Sequence, residues 1–466
     1  MAKEKPETPR NKVSLASAKA VPIFLSLLVV YASYVVVGPF SIDYLINNED
    51  LEKRNTSAGI ALPIVWFVLL IPVATSYARL LYVVSKDPGY IPFGDDDDEA
   101  AEAPPPNFWM RDVFVCTPQG LPIWCHHCRT WKPDRAHHNR DTGRCTLKQD
   151  HFCPWVGGVV GERSMKFFAQ FLCYSFTLST YLMILMAYYV HKDKSHVQWI
   201  VALSLGGFFV FFTLGMVINT MRMIFNNATT IEEAGPRTIL MAVVLPPELQ
   251  GDAIGRPSPI YSPPTSRSGN SDSEQPFVSE IDDPSHSRYF SKGGSRAWPL
   301  RRLARSKAWK GTVTYPLPNN LPTDRPPIPA PEPRTFAILE TWPGMNPWDL
   351  GSTYRNFTAV FGTKLHHWLL PIRHSPCCEH SSAVSLYPLG PQFEEMLEEV
   401  GMVQREFKNA QDSNRPRDRS NRKRRPRLGE GWQNGERPDG WISEKEARRV
   451  RNQARARMRI DDDFVP

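Results

Sequence analysis

The sequence predicts an all-α polytopic membrane protein: four transmembrane helices carrying a small zinc-stabilised cytosolic cysteine-rich domain of short hairpins. Three observations predict it: four long apolar runs, a dense Cys/His stretch between the second and third runs, and an uneven distribution of basic residues along the chain. Residues 21–40, 60–84, 167–190 and 199–225 form the apolar runs. Each is close to, or above, the roughly 20 residues that cross a bilayer core.

The first run is too long, and too weakly followed by small residues, to read as a cleaved signal, so it is expected to stay as an anchor. Arg79 lies near the end of the second run, where its guanidinium can snorkel to the interface. Five Lys or Arg precede the first run, and ten lie in the 85–166 connection, against two each in 41–59 and 191–198. By the positive-inside rule, both termini and the cysteine-rich connection are cytosolic. That compartment is reducing, so the eight cysteines argue for metal ligands and free thiols over disulfides. The net charge of +7 suits an anionic membrane surface but is too diffuse to suggest nucleic-acid binding.

Within the connection, Cys125 and Cys128 form a C-x2-C pair, followed by His138 and Cys145. Three thiolates and one imidazole within 21 residues are a donor set that tetrahedral zinc prefers. Cys153 is left over beside His151 and Asp150. A cysteine, a base that takes its proton and a carboxylate that fixes the base's tautomer have the logic of an activated nucleophile. His126, His127 and His137 are spare, because the spacing already fills the metal site. Gly157, Gly158 and Gly161 lack the companions of a phosphate loop and read as turn residues. Cys116 and Cys173 have no local base and read as packed thiols.

Beyond the fourth run the composition changes. Between 246 and 333 lie 17 of the 43 prolines, with much Ser, Asp and Arg, so this stretch is expected to be disordered. An aromatic patch at 346–372 reads as ordered and docked, a weak helix follows near 392–407, and a basic run occupies 421–427. Cys377 and Cys378, beside the patch and near the membrane, are candidate acyl acceptors.

The stretch Asp150-His151-Phe152-Cys153 resembles the signature of the DHHC-type protein S-acyltransferases, or palmitoyltransferases, in a fungal branch that reads DHFC. The likeness extends to KDPGY at 86–90, to Thr229-Thr230-Ile231-Glu232, similar to the family's TTxE motif, and to Asn356 with Val360, Phe361 and Gly362. It covers most of residues 20–375. The resemblance implies transfer of an acyl group from palmitoyl-CoA or a similar fatty acyl-CoA to Cys153, then to substrate proteins with cytosolic juxtamembrane cysteines. It implies active-site support from Thr229, Thr230, Glu232 and Asn356. The alternative is a catalytically weak or inactive zinc-stabilised membrane scaffold.

One departure stands out. The family resembles two interleaved Cys3His sites; the second would fall on Asn139, Thr142, Phe152 and Val159, none of which is Cys or His. One structural zinc is therefore expected. In finger peptides such an ion contributes roughly 10 to 16 kcal/mol of folding free energy. A buried Phe or Val contributes about 1.5 to 3 kcal/mol, so a plug of Phe152 and Val159, with Asn139 and Thr142 bonding the turn, needs help from its neighbours. The expected organisation is 1–19 N-terminal segment; 20–84 first two spans; 85–166 cysteine-rich catalytic domain; 167–226 last two spans; 227–245 the TTxE segment; 246–335 disordered linker; 336–376 docked C-terminal motif; 377–466 basic, largely disordered tail.

Overall fold

The computed structural model describes residues 9–94, 104–246, 307–317 and 333–402. The acidic run at 95–99, most of the Pro-rich stretch, the end of the weak helix expected near 392–407 and the basic run at 421–427 lie outside the described residues.

Among the described residues, four helices are long and apolar enough to cross a membrane, spanning Ala20–Ile46, Thr56–Lys86, Met165–Lys192 and Val197–Phe225. The first comprises α1, Pro9–Val35, continued by a π-helical stretch, Val36–Ile46, that contains Pro39. The helix α2, Thr56–Lys86, runs continuously through Pro63 and Pro72. Ser76 Oγ donates to the Pro72 carbonyl at 2.6 Å, one turn back along the same helix. Asn55 caps its start by accepting from the Ala58 amide. Cross-helix hydrogen bonds from Trp66 Nε1 to Ser33 Oγ and from Tyr181 Oη to the Leu62 carbonyl fix the packing.

Between the second and third spans lie a helical turn, α3 (Pro106–Trp109), a short strand, β1 (Val113–Val115), and three antiparallel hairpins. The hairpins are β2–β3 (Ile123–Cys125 with Thr130–Lys132), β4–β5 (His137–Asn139 with Arg144–Thr146) and β6–β7 (His151–Cys153 with Gly158–Val160). The last leads into the third and fourth spans, α4 (Met165–Lys192) and α5 (Val197–Phe225), and then a single turn, α6 (Thr230–Ala234).

The all-α expectation needs correcting. Strands β8 (Leu240–Val244), β9 (Trp309–Tyr315) and β10 (Arg334–Glu340) join β1 in a four-stranded antiparallel sheet of order β1-β8-β10-β9. Strand β9 falls inside the stretch expected to be disordered, so disorder does not describe Trp309–Tyr315. The physical reason is burial on both faces, which lets short runs between Pro-rich spacers act as strands. Val113, Met241, Val243, Ala337 and Leu339 pack on one face against Trp348, Tyr387, Phe393 and Met396. Phe114, Ala242, Val244, Val313, Tyr315, Phe336 and Ile338 form the core of the other face. The alternation is the period of two that a strand requires.

The C-terminal part continues in α7 (Thr353–Phe361), α8 (Leu365–Leu369) and α9 (Pro391–Val400). Helix α9 docks Phe393, Met396, Leu397 and Val400 on the sheet, where a weak helix was expected near 392–407.

Phe336 is fully buried at the centre of the sheet. Its truncation in Phe336→Ala should therefore cost about 3 to 5 kcal/mol. Thermal unfolding in detergent should report the loss as a lower midpoint, with new protease cleavage near the sheet and no change in membrane insertion.

Candidate active site and metal centre

Cys125 ends β2, Cys128 sits in the following turn, and His138 and Cys145 face each other across the β4–β5 hairpin. Their ligand atoms lie within 4.8 Å of one another. His138 Nδ1 is 3.6, 3.2 and 3.9 Å from the sulfurs of Cys125, Cys128 and Cys145. All three cysteines are buried. The donor set, three sulfurs and one ring nitrogen converging from two hairpins, fits a tetrahedral metal ion. It is the Cys/His cluster with this geometry among the described residues, and His126, His127 and His137 are not part of it. Residues 86–94 brace it from outside: the amides of Ile91 and Gly94 donate to the carbonyls of Cys145 and Cys128.

The four positions expected to replace a second site are brought together in two pairs. Asn139 Oδ1 accepts from the Thr142 amide at 2.9 Å, closing the β4–β5 turn. Phe152 and Val159 are direct cross-strand partners in β6–β7, with Val159 fully buried. The hairpin also leans on α2. Gly157 turns the chain at φ +70°. A Cβ at Gly158 would lie 2.5 Å from Val84 Cγ1, so only glycine allows this approach.

Asp150, His151 and Cys153 lie on and just before β6. Asp150 Oδ2 meets His151 Nδ1 at 2.6 Å, with Asp150 buried. His151 Nε2 is enclosed and has no conventional hydrogen bond to a group among the described residues. Cys153 is near enough to act on the ring's titration. Burial works to lower the His151 pKa, but the Asp150 hydrogen bond, the Cys153 interaction and their charges outweigh it and raise the ring to about 9.

The Asp150 carboxylate is itself held. Its Oδ1 accepts the Thr230 amide at 2.8 Å, and its backbone carbonyl accepts the Thr230 hydroxyl at 2.6 Å. Thr229 and Glu232 form a reciprocal capping box at the start of α6. The Glu232 carboxylate also takes two hydrogen bonds of 2.6 Å from Arg135. Arg135 in turn reaches the side chain and carbonyl of Asn227, and Lys148 donates to the same Asn227 oxygen at 2.9 Å. Asn227 Nδ2 donates to the Trp348 carbonyl. The Arg135 guanidinium lies 4.6 Å over the Trp348 ring. Asn356 closes the chain of contacts: its amide nitrogen donates to the Phe225 carbonyl and to Asp349, and its oxygen accepts the Leu350 amide.

Arg135, Lys148 and Asn227 escaped the sequence reading, as did the buried Tyr387 and Glu162, whose carboxylate accepts a hydrogen bond from the Tyr387 hydroxyl. Nothing local marks a charge as buried. Asn227 alone carried a signal: an asparagine just past an apolar helix suits the left-handed backbone that ends it, and its φ is +45°.

On the membrane side, Cys153 lines a cavity of about 460 Å³ between the spans. Its walls are almost wholly apolar and include Trp66, Val73, Tyr77, Phe171, Leu178 and Phe209. Tyr77 Oη donates to the Trp155 carbonyl at 2.7 Å, tying the turn after Cys153 to α2.

Residues 120–236 match the DHHC palmitoyltransferase family. Palmitoyltransferase pfa5 of Aspergillus fumigatus is 34% identical over 456 residues, covering 84% of this chain and 91% of its own. Palmitoyltransferase pfa5 of Emericella nidulans is 30% identical, over 84% of this chain and 88% of its own. The chain belongs to the DHHC palmitoyltransferase family. As a palmitoyltransferase of this family it is an acyltransferase, and Palmitoyltransferase PFA3 of Candida glabrata matches a shorter part, 37% identical over 134 residues. None of these likenesses favours the inactive-scaffold alternative.

In this palmitoyltransferase the Asp150 carboxylate is a main cause of the raised His151 pKa. Asp150→Asn should bring the imidazole titration down from about 9 toward the ordinary 6.5. NMR of labelled histidine across a pH series would follow it, and an unchanged value would mean that burial and Cys153 alone set the ring.

Proposed function

We propose that Cys153 is the nucleophile of a two-step acyl transfer from a fatty acyl-CoA, with His151 as general base and Asp150 as the group that holds its tautomer. The observation that carries the reading is the place of Cys153: it lies beside the Asp150–His151 pair and on the wall of the apolar cavity. An acyl chain in that cavity brings its thioester to the sulfur. Each methylene taken out of water contributes about 0.8 kcal/mol, which favours long chains.

In the first step the Cys153 proton passes to His151 Nε2 and the sulfur attacks the thioester carbonyl. The bond to the CoA sulfur breaks, and the imidazolium returns the proton to that leaving thiolate. In the second step a substrate cysteine loses its proton to His151 and attacks acyl-Cys153, freeing Cys153 for another cycle. The raised pKa of His151 reports that Asp150 and the Cys153 sulfur stabilise the imidazolium that forms when the ring takes the thiol proton. Thr229, Thr230, Glu232 and Asn356 act as positioning residues through Asp150 and the end of α5.

Cys125, Cys128, His138 and Cys145 would hold one structural zinc, which supplies cross-linking of the hairpins and no chemistry at Cys153. The basic residues flanking the spans support a cytosolic side for both termini and the cysteine-rich domain. The partners are palmitoyl-CoA or a similar acyl-CoA, membrane lipids, and proteins with juxtamembrane cysteines on that side.

Cys153→Ser should abolish hydroxylamine-sensitive labelling by acyl-CoA while leaving bound metal and membrane insertion intact; labelling at normal stoichiometry would assign the nucleophile elsewhere. His151→Ala should slow self-acylation by about 10² to 10⁴-fold at neutral pH. Partial recovery at higher pH should follow as bulk deprotonation replaces the base.

Metal analysis should find about one zinc per chain, the content expected of a single Cys3His site. Replacing any of the four ligands should remove it, and Phe152→His alone should add none. A content near two would show that other groups complete a second site.

A further inference from the structure

Beyond the reaction centre, the polar network holds two thiols that the proposed acyl transfer does not use. Cys377 and Cys378 are adjacent in a short helical turn, Pro376–Cys378. Both are partly exposed at residue level, with Pro376 and Glu379 exposed on either side. Cys378 Sγ lies 3.6 Å from the Glu162 carbonyl oxygen. Cys377 lines a cavity of about 10 Å³ together with Lys148, Glu162, Asn227 and Thr229. That space holds about one water molecule. A small oxidant such as hydrogen peroxide fits a space of that size.

We infer that Cys377 and Cys378 form a second thiol site, oxidised by hydrogen peroxide to a vicinal disulfide that slows acylation of Cys153. Cys377 is the attacking thiol, since the cationic Lys148 shares its inner cavity. Its pKa is drawn down to about 7, first by a hydrogen bond from Cys378 and against its burial, with Lys148 and Arg135 assisting and Glu162 opposing. The Cys378 thiol is pushed upward by the same hydrogen bond and by burial, and so suits a resolving role. In the first step the Cys377 sulfur attacks a peroxide oxygen, giving a sulfenic acid and water. In the second, Cys378 sulfur displaces the sulfenic hydroxyl, closing the S–S bond and releasing a second water. The dithiol loses two electrons and the peroxide gains them.

Closure has a geometric cost. Adjacent Cα atoms across a trans peptide are about 3.8 Å apart, below the roughly 4.4 to 6.8 Å of ordinary disulfides. The turn must reshape, which removes the Cys378 contact with Glu162 and shifts Cys377 away from Lys148 and Asn227. Those residues connect through Arg135, Glu232 and Thr230 to Asp150. The bridge thereby loosens the group that orients His151.

The test treats the purified full-length protein with hydrogen peroxide, traps free thiols by alkylation, and maps the products by mass spectrometry. The peptide containing both cysteines should lose two mass units relative to the reduced dithiol, reversibly with dithiothreitol. In Cys378→Ser, dimedone should label Cys377. Oxidation confined to Cys153 or the metal ligands, with this peptide unchanged, would overturn the site whether or not the protein is acyltransferase-active. Peroxide should also lower Cys153 acylation several-fold in the wild-type protein, with recovery on reduction. In the Cys377→Ser/Cys378→Ser double variant it should have little effect; equal inhibition there, or a bridge formed without inhibition, would overturn the coupling.

Discussion

A buried guanidinium organises the part of this protein outside the membrane-spanning helices. Arg135 has a fully buried side chain, sits in a left-handed backbone position, and binds Glu232 through two charge-assisted hydrogen bonds. Taking a charge out of water costs several kcal/mol, and removing one partner of a buried pair typically costs about 3 to 5 kcal/mol. The remaining donors are satisfied by Asn227, and the ring of Trp348 covers the cation. One residue of the cysteine-rich loop thus meets the turn after the fourth span and the C-terminal segment at a single point. Because an unpaired charge there is so unfavourable, the three segments are held in register.

That register bears on the proposed chemistry through Asp150. Its carboxylate is fixed between the Thr230 amide and the His151 ring. Thr230 stands at the first position of a one-turn helix that would have little stability in isolation. The capping box of Thr229 and Glu232, with Arg135 beyond it, is what holds that turn. A short polar relay therefore does the positioning that backbone propensity could not. It also gives mechanical sense to a loop in which the second set of metal positions carries Asn139, Thr142, Phe152 and Val159. The β6–β7 hairpin is clamped from outside, by Val84 on one side and by the Thr230 contact on the other.

The membrane half contributes shape. Its apolar cavity is walled by all four spans and reaches Cys153 at one point. The turn that follows Cys153 is tied to the second span by Tyr77. Apolar enclosure excludes water from one side of the sulfur, while the polar relay orders the other.

Much was legible in the residues themselves. Long apolar runs announce membrane helices because no other chain conformation satisfies its backbone in lipid without partners. The spacing of Cys125, Cys128, His138 and Cys145 announced a metal cluster because metal geometry is local and demanding. The adjacency of Asp150, His151 and Cys153 needed no fold to suggest a nucleophile and base. The four-stranded sheet was not legible: its strands are separated by up to 124 residues of intervening chain, 116–239 between β1 and β8, and each is too short to declare itself before its partners bury it. Nor were Arg135, Lys148, Glu162 and Tyr387, whose importance is their burial, a property of neighbours brought from distant segments. Local chemistry was written in the sequence. The environment that tunes it was decided by tertiary structure, because desolvation and long-range hydrogen bonding exist only once the chain has folded.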